Sequence, residues 1–199
     1  MKAELHPKSL RPAASSVPGT TCDYGPVSGC RLIAVADAPV LAGLLQANRE
    51  FLAPWEPIRG EDYFSAGGQR AAIEDALARH AAGTALPCVI TSDGQVAGRI
   101  TLSGIVRGPF LSCSVGYWVA QAQGGRGLAT AAVREIIGVA FGELGLHRIQ
   151  AETLPENVAS QRVLTRNGFS RIGMAPRYLK IAGRWQDCIL YQVRNERIE

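Results

Sequence analysis

A chain of 199 residues is long enough to bury one sizeable core without help from disulfides or metal. Its 47% hydrophobic and 19% charged residues, with 22 glycines and 11 prolines, fit a soluble globular protein and exclude a disordered or fibrous one. No apolar run nears the roughly 20 residues of a membrane helix, Met1 to Ser9 lacks the apolar centre of a secretory signal, and a net charge of +4 without Lys/Arg runs argues against nucleic acid, so a cytoplasmic protein is expected.

Residues 1–29 are rich in Pro, Ser, Gly and Ala and show no hydrophobic period, which predicts a poorly ordered arm ahead of a single domain over 30–199. Within that domain Arg31 to Val35 reads as a short strand. Asp37 then supplies an N-cap and Pro39 an early helical proline, for a helix that turns Leu41, Leu44 and Leu45 inward. Two prolines forbid a regular helix over Phe51 to Pro57, and a second helix fits Gln69 to Ala82 through Ile73 and Leu77.

Leu86 to Thr91 and Val96 to Ile105 form a hairpin around Asp93-Gly94, and Leu111 to Val119 is the next strand. The Gly-rich stretch Gln121 to Gly127 follows. Beyond it Leu128, Ala132, Val133, Ile136, Ile137, Ala140, Phe141 and Leu144 recur at helical spacing. Arg148 to Leu154 reads as a strand and Asn157 to Asn167 as a short helix stopped by Gly168. The chain closes on strand runs Phe169 to Met174, Tyr178 to Ile181 and Trp185 to Val193, with a turn at Ala182-Gly183. The order is mixed α and β without internal repeats.

Glycines at the mouth of a helix let backbone N–H groups approach an anion, and the helix dipole favours negative charge there. Gly124 to Thr130 is therefore a candidate phosphate loop, although a turn glycine-rich for steric reasons has the same appearance. A P-loop is excluded because Leu128-Ala129 stand where Lys-Ser/Thr is needed, and the dinucleotide spacing is also wrong. The five cysteines, Cys22, Cys30, Cys88, Cys113 and Cys188, lack C-x-x-C spacing, so neither a zinc site nor a disulfide frame is expected.

Gly124-Gly-Arg-Gly127-Leu-Ala129 resembles the acetyl-CoA loop of the GNAT superfamily of N-acetyltransferases, Gln/Arg-x-x-Gly-x-Gly/Ala, with Gly124 in place of the first side chain. Asn157-Val-Ala-Ser160 followed by Gly168-Phe169 is similar to the second signature of that superfamily, at matching distance from the loop. Asn48-Arg49, Trp55-Glu56-Pro57, Gly116 to Val119, Leu146 to Ile149 and Arg177 to Leu179 resemble its RimJ/RimL-type branch, the ribosomal-protein-alanine acetyltransferases. The resemblance implies an α/β (α+β) fold: a mixed, largely antiparallel twisted sheet flanked by helices, splayed between its fourth and fifth strands.

It also implies acetyl-CoA as cosubstrate, no metal, and direct attack of a neutral amine without an acyl-enzyme. Backbone N–H groups near Trp118 and Val119 would hold the oxyanion. Gly124, Gly125, Arg126, Gly127, Leu128, Ala129, Thr130, Asn157 and Ser160 complete the candidate cofactor site. Ser160 is the candidate acid for the leaving thiolate, with Tyr191 as alternative. Glu152 is the candidate base, because the strand before the loop carries no Glu, and Glu56 ranks second. Trp55, Glu56 and Tyr117 are expected around the acceptor.

A protein α-amine, with pKa about 7.7 to 8.0, is roughly a quarter neutral near pH 7.5, against roughly a thousandth of lysine side chains. Weak basic assistance thus favours an N-terminal α-amine, by the resemblance that of a ribosomal protein. A small amine such as an antibiotic, polyamine or amino acid is the alternative acceptor, and an acyl-CoA-binding regulatory module the non-enzymatic reading. A monomer or homodimer would suit either.

Overall fold

Strand alternation and helical period in this sequence resolve into a seven-stranded sheet with helices on both faces, in a computed structural model that describes residues 28–196. The elements are β1 (Ser28–Leu32), α1 (Ala38–Ala47), α2 (Arg49–Leu52), α3 (Ala66–Ala81), β2 (Ala85–Ser92), β3 (Gln95–Val106), β4 (Ser112–Val119), α4 (Leu128–Gly142), β5 (Arg148–Thr153), α5 (Val158–Arg166), β6 (Ser170–Ile181) and β7 (Arg184–Arg194). The sheet order is β1-β2-β3-β4-β5-β7-β6, and only the β4–β5 pair is parallel. Most of the arm expected over 1–29 lies outside the described residues, but its last two, Ser28 and Gly29, already pair with Ser92 and Thr91 in β1.

On one face α4 lays down Leu128, Ala132, Val133, Ile136 and Ala140 against Ile100, Leu102, Val115 and Ile149. Each such aliphatic side chain contributes roughly 1.5–3 kcal/mol by leaving water. On the other face Leu41 of α1 and Ile73 of α3 pack on Ile33 and Val89. The sheet therefore separates two chemically independent surfaces, one covered by α4 and α5, the other by α1, α3 and the segment between α2 and α3.

Three expectations are corrected and one is refined. Asp37 stands at the N-cap of α1, but its side chain makes no capping bond: the carboxylate turns back to accept from the Ala34 N–H at 2.8 Å and from both Arg31 guanidinium nitrogens at 2.8 and 2.6 Å. The first strand sits earlier, at Ser28–Leu32, because Val35 to Asp37 wind into a 3-10 turn. The irregular segment read over Phe51 to Pro57 is refined at its start, where Arg49–Leu52 makes a single helical turn before Pro54 stops it. The runs Phe169 to Met174 and Tyr178 to Ile181 are one strand, β6, because a bulge between Ala175 and Leu179 absorbs Pro176. Arg177, at φ 49°, holds that bulge by donating its N–H to Asp187 Oδ1 at 2.9 Å.

Candidate active site

The site follows from where the sheet stops being one. β4 and β5 are paired only through Ser112, Cys113 and Ser114, opposite Arg148, Ile149 and Gln150. Beyond Ser114 the two strands separate. The Ala120 N–H reaches across β3 to the Ala97 carbonyl at 2.8 Å, while the Leu111 carbonyl accepts from His147 on the β5 side at 2.8 Å. Strand alternation between these two fixed points sends the N–H and C=O groups of Val115, Tyr117 and Val119 into the gap. By the same parity the Trp118 N–H, expected to help hold an oxyanion, is directed at β3, and the donors facing the gap are those of Tyr117 and Val119.

At the open end of the gap β4 runs into the glycine loop. Gly125 and Gly127 have φ of 73° and 80°, a conformation that disfavours any side chain, and both have open space where a Cβ would stand. Gly127 is the N-cap of α4 and offers no side-chain cap, so the first N–H groups of a 15-residue helix are left to an external acceptor. Leu128 anchors this turn by burying its side chain in the core. Arg126 is exposed, bonded to Gln123 Oε1 at 2.5 Å and 3.6 Å from Asp93. The backbone of the loop thus presents donors to an anion, and the strand edge behind it is open.

On the α4/α5 side of the gap, Asn157 caps α5 by accepting the Ser160 N–H at 3.0 Å. That cap points the first turn of α5 at β4, where the Tyr117 hydroxyl lies 2.9 Å from Ser160 Oγ and 3.3 Å from the Ser160 carbonyl. Burial pushes the Tyr117 hydroxyl up to about 12, the Ser160 bond only partly opposing it, so it stays protonated at neutral pH. Asn167 at the other end of α5 donates to the Thr130 carbonyl at 3.1 Å, which fixes this helix to the start of α4.

On the opposite face a cleft of about 410 Å³ is bordered by Trp55, Glu56, Tyr63, Arg99, Trp118 and Glu152, among others, and it reaches Tyr117, Asn157 and Ser160 through the gap. Glu152 accepts from Ser114 Oγ at 3.4 Å. Burial raises its carboxyl above the ordinary range, and the Ser114 bond offsets only part of that. Glu56 is likewise raised by burial, against the pull of Arg59 and Arg99. Trp55 both lines the cleft and packs on Leu154, Ile181 and Cys188. Two bonds hold this wall in place: the Ala182 N–H donates to the Glu56 carbonyl at 2.9 Å, and Asn48 Oδ1 accepts the Gln121 N–H at 2.7 Å.

Tyr191, the alternative acid, is not brought to the site. It is buried in the main core, paired opposite Ala151, while Leu190 is the β7 residue opposite Glu152. Arg99, Arg59, Tyr63 and Ser114 line or support the cleft without having been read from the sequence. Only Arg99 carries a signal there, as the single charge in β3, between Gly98 and Ile100. No cluster of His, Cys, Asp or Glu able to hold a metal occurs among the described residues, and no helix among them is long and apolar enough to cross a membrane.

A sheet splayed beside a glycine-capped helix, with a Tyr–Ser hydroxyl pair on one side and a carboxylate-lined cleft on the other, is the layout of a coenzyme A-dependent acyltransferase. Residues 30–170 match the family model described as acetyltransferase (GNAT) domain. The chain is 37% identical to Bacillus subtilis YjcK over 159 residues, covering 79% of this chain and 88% of that protein. It is 35% identical to the [ribosomal protein uS5]-alanine N-acetyltransferase of Escherichia coli over 162 residues, 80% of this chain and 84% of that one. Mycobacterium smegmatis RimJ, solved in complex with CoA-disulfide, superposes with a TM-score of 0.84 at 33% identity, covering 87% of this chain and 88% of that chain. The chain belongs to the GNAT family and is an acetyl-CoA-dependent N-acetyltransferase of the RimJ/RimL kind.

Proposed function

We propose that this enzyme acetylates the N-terminal α-amine of a protein, with a ribosomal protein as the first acceptor to test. One observation carries the reading: Glu152 and the Tyr117–Ser160 pair stand on opposite sides of the β4–β5 gap, bordering one continuous cleft. An amine entering from the Glu152 side can give up its proton there as its nitrogen attacks the thioester carbonyl. The developing oxyanion meets the Tyr117 and Val119 N–H groups. When the carbon–sulfur bond breaks, Ser160, with Tyr117 behind it, returns a proton to the sulfur. The backbone of Gly124 to Thr130 would hold the pyrophosphate, and no acyl-enzyme is needed.

The mouth of the cleft supports a macromolecular acceptor. The segment Pro54 to Gly60, whose Trp55, Glu56 and Arg59 line the cleft, leans on the β6–β7 hairpin through Ile58 at Gly183, and beside the cleft Ile58 of this segment and Trp185 of the hairpin are 76% and 63% exposed. A site built for a small free amine would enclose most of it. The relative from Escherichia coli, named for alanine of ribosomal protein uS5, makes an Ala-starting protein the natural first substrate.

Purified enzyme with acetyl-CoA should release free thiol with peptides that begin in Ala or Ser, and give no more than background with the same peptides blocked at the α-amine but carrying a free lysine. Faster turnover on polyamines or free amino acids than on every peptide and ribosomal protein offered would overturn the protein acceptor.

A further inference from the structure

We infer that Arg99 reads a carboxylate on the acceptor, close to the amine that is acetylated, and so selects acceptors with an acidic group near the reacting terminus. The inference rests on the acetyltransferase reading of the cleft and adds to it the chemistry of the acceptor beyond its amine. Arg99 lies in the middle of β3, in register with Trp118 of β4, and borders the cleft on the face opposite α4. The sheet therefore stands between it and the pyrophosphate loop, which leaves the acceptor as the ligand within its reach.

Two features separate Arg99 from a guanidinium that merely supports the fold. It is half-buried, and burial works against its charge, yet it forms no hydrogen bond and no ion pair within 4.0 Å among the described residues. The other guanidinium groups of this region are engaged. Arg59 lies over the Tyr63 ring at 4.8 Å, Arg79 pairs with Asp75 at 2.5 Å, and Arg49 pairs with Glu61 at 2.5 Å while lying over Phe64. A half-buried guanidinium whose donors meet no protein acceptor among the described residues is an incomplete site for a planar anion.

The surrounding charges fix the orientation of what enters. Glu56 attracts Arg99 without contacting it, Arg59 and Arg79 repel it, and Glu152 borders the gap to β4. The cleft thus offers negative charge at Glu56 and Glu152 and a separate positive group at Arg99. A short zwitterionic segment matches this pattern, its ammonium toward the carboxylates and its own carboxylate toward Arg99. That carboxylate can be an Asp or Glu side chain just after the first residue of a protein, or the free carboxyl end of a small amino compound.

The test is a matched set of acceptors with wild-type enzyme, read as kcat/KM. Peptide amides starting Ala-Glu, Ala-Ala-Glu, Ala-Gln and Ala-Lys probe the side-chain source, and Ala-Ala as free acid or amide probes the terminal source. One charge-assisted pair corresponds to about a tenfold preference for the acidic member, carried mainly by KM. Arg99→Gln should reduce that ratio to within about twofold of one, and Arg99→Lys should restore part of it. Calorimetry with acetyl-CoA confirms that each variant is folded, and the wild-type series decides the matter even if one is not. A wild-type ratio near one, a preference for Ala-Lys, or an undiminished ratio in a folded Arg99→Gln enzyme would each overturn the inference. Failure of every acceptor would instead overturn the proposed function.

Discussion

The two sides of the splayed sheet are built from different materials. The side proposed for the cofactor is backbone: two left-handed glycines, the uncapped start of α4, and the strand edge at Tyr117 and Val119. The side proposed for the acceptor is side chains: Glu152, Glu56, Arg99 and Trp55, brought from β5, the segment after α2, and β3. Backbone geometry leaves a pattern of glycines at fixed spacing, whereas a set of side chains assembled by tertiary contact leaves almost none. One family can therefore keep its donor while its acceptors diverge.

That division can be broken by mutation, and the largest effect is expected at the acceptor side. Glu152→Gln should lower kcat/KM by about 10²–10⁴-fold, the usual contribution of a positioned base, and leave acetyl-CoA affinity unchanged. The sign of its pH behaviour is fixed. A carboxyl raised by burial is costly to ionise in the fold, so stability falls as pH rises past its unfolded value, while activity rises with pH through the folded one. Glu152→Gln should then match or exceed the wild-type Tm at neutral pH while activity is lost, and a lower Tm would mean the carboxylate is structural.

On the cofactor side Gly127→Val places a β-branched residue at φ 80°, costing about 1–2 kcal/mol in the loop conformation alone. Acetyl-CoA binding by calorimetry should weaken by at least about tenfold, and unchanged binding would remove the loop from the site. Ser160→Ala should slow turnover by about tenfold while the affinity for acetyl-CoA holds, because Tyr117 remains as a proton donor. Equal turnover in that variant would take Ser160 out of the chemistry. The smallest effect is expected at Ser114→Ala, which removes a bond that favours the Glu152 carboxylate. Its acid limb in a pH–rate profile should move to higher pH, and a limb that stays in place would detach Ser114 from the base.

Much of the architecture was legible because it is local. Apolar period placed α4, Asp93-Gly94 placed the first hairpin at φ of 51° and 75°, and Asn157 announced the cap of α5. What was not legible is long-range. The insertion of β7 between β5 and β6, which sets Leu190 rather than Tyr191 beside Glu152, follows from strand order and not from any one strand's composition. The break read between Met174 and Tyr178 is instead a bulge, held by the Arg177–Asp187 bond, whose partners lie ten residues apart on β6 and β7. Asp37 holds the N-cap position that its type announces, but Arg31 draws its carboxylate away from the helix. The cleft follows the same rule: the Ser114–Glu152 and Tyr117–Ser160 contacts span 38 and 43 residues.

The short parallel pairing of β4 with β5 has a mechanical meaning as well. Three registered residues join two half-sheets, β1 to β4 and β5 to β6, so the seam is the least cross-linked line in the sheet. An interior strand edge with unmet N–H and C=O groups is a template for anything that carries amides. The pantetheine arm of coenzyme A carries two, and in occupying the gap it would close the seam as a missing strand would. Donor loading is then a final act of sheet assembly, to be read as slowed amide exchange at Tyr117 and Val119 in the presence of coenzyme A.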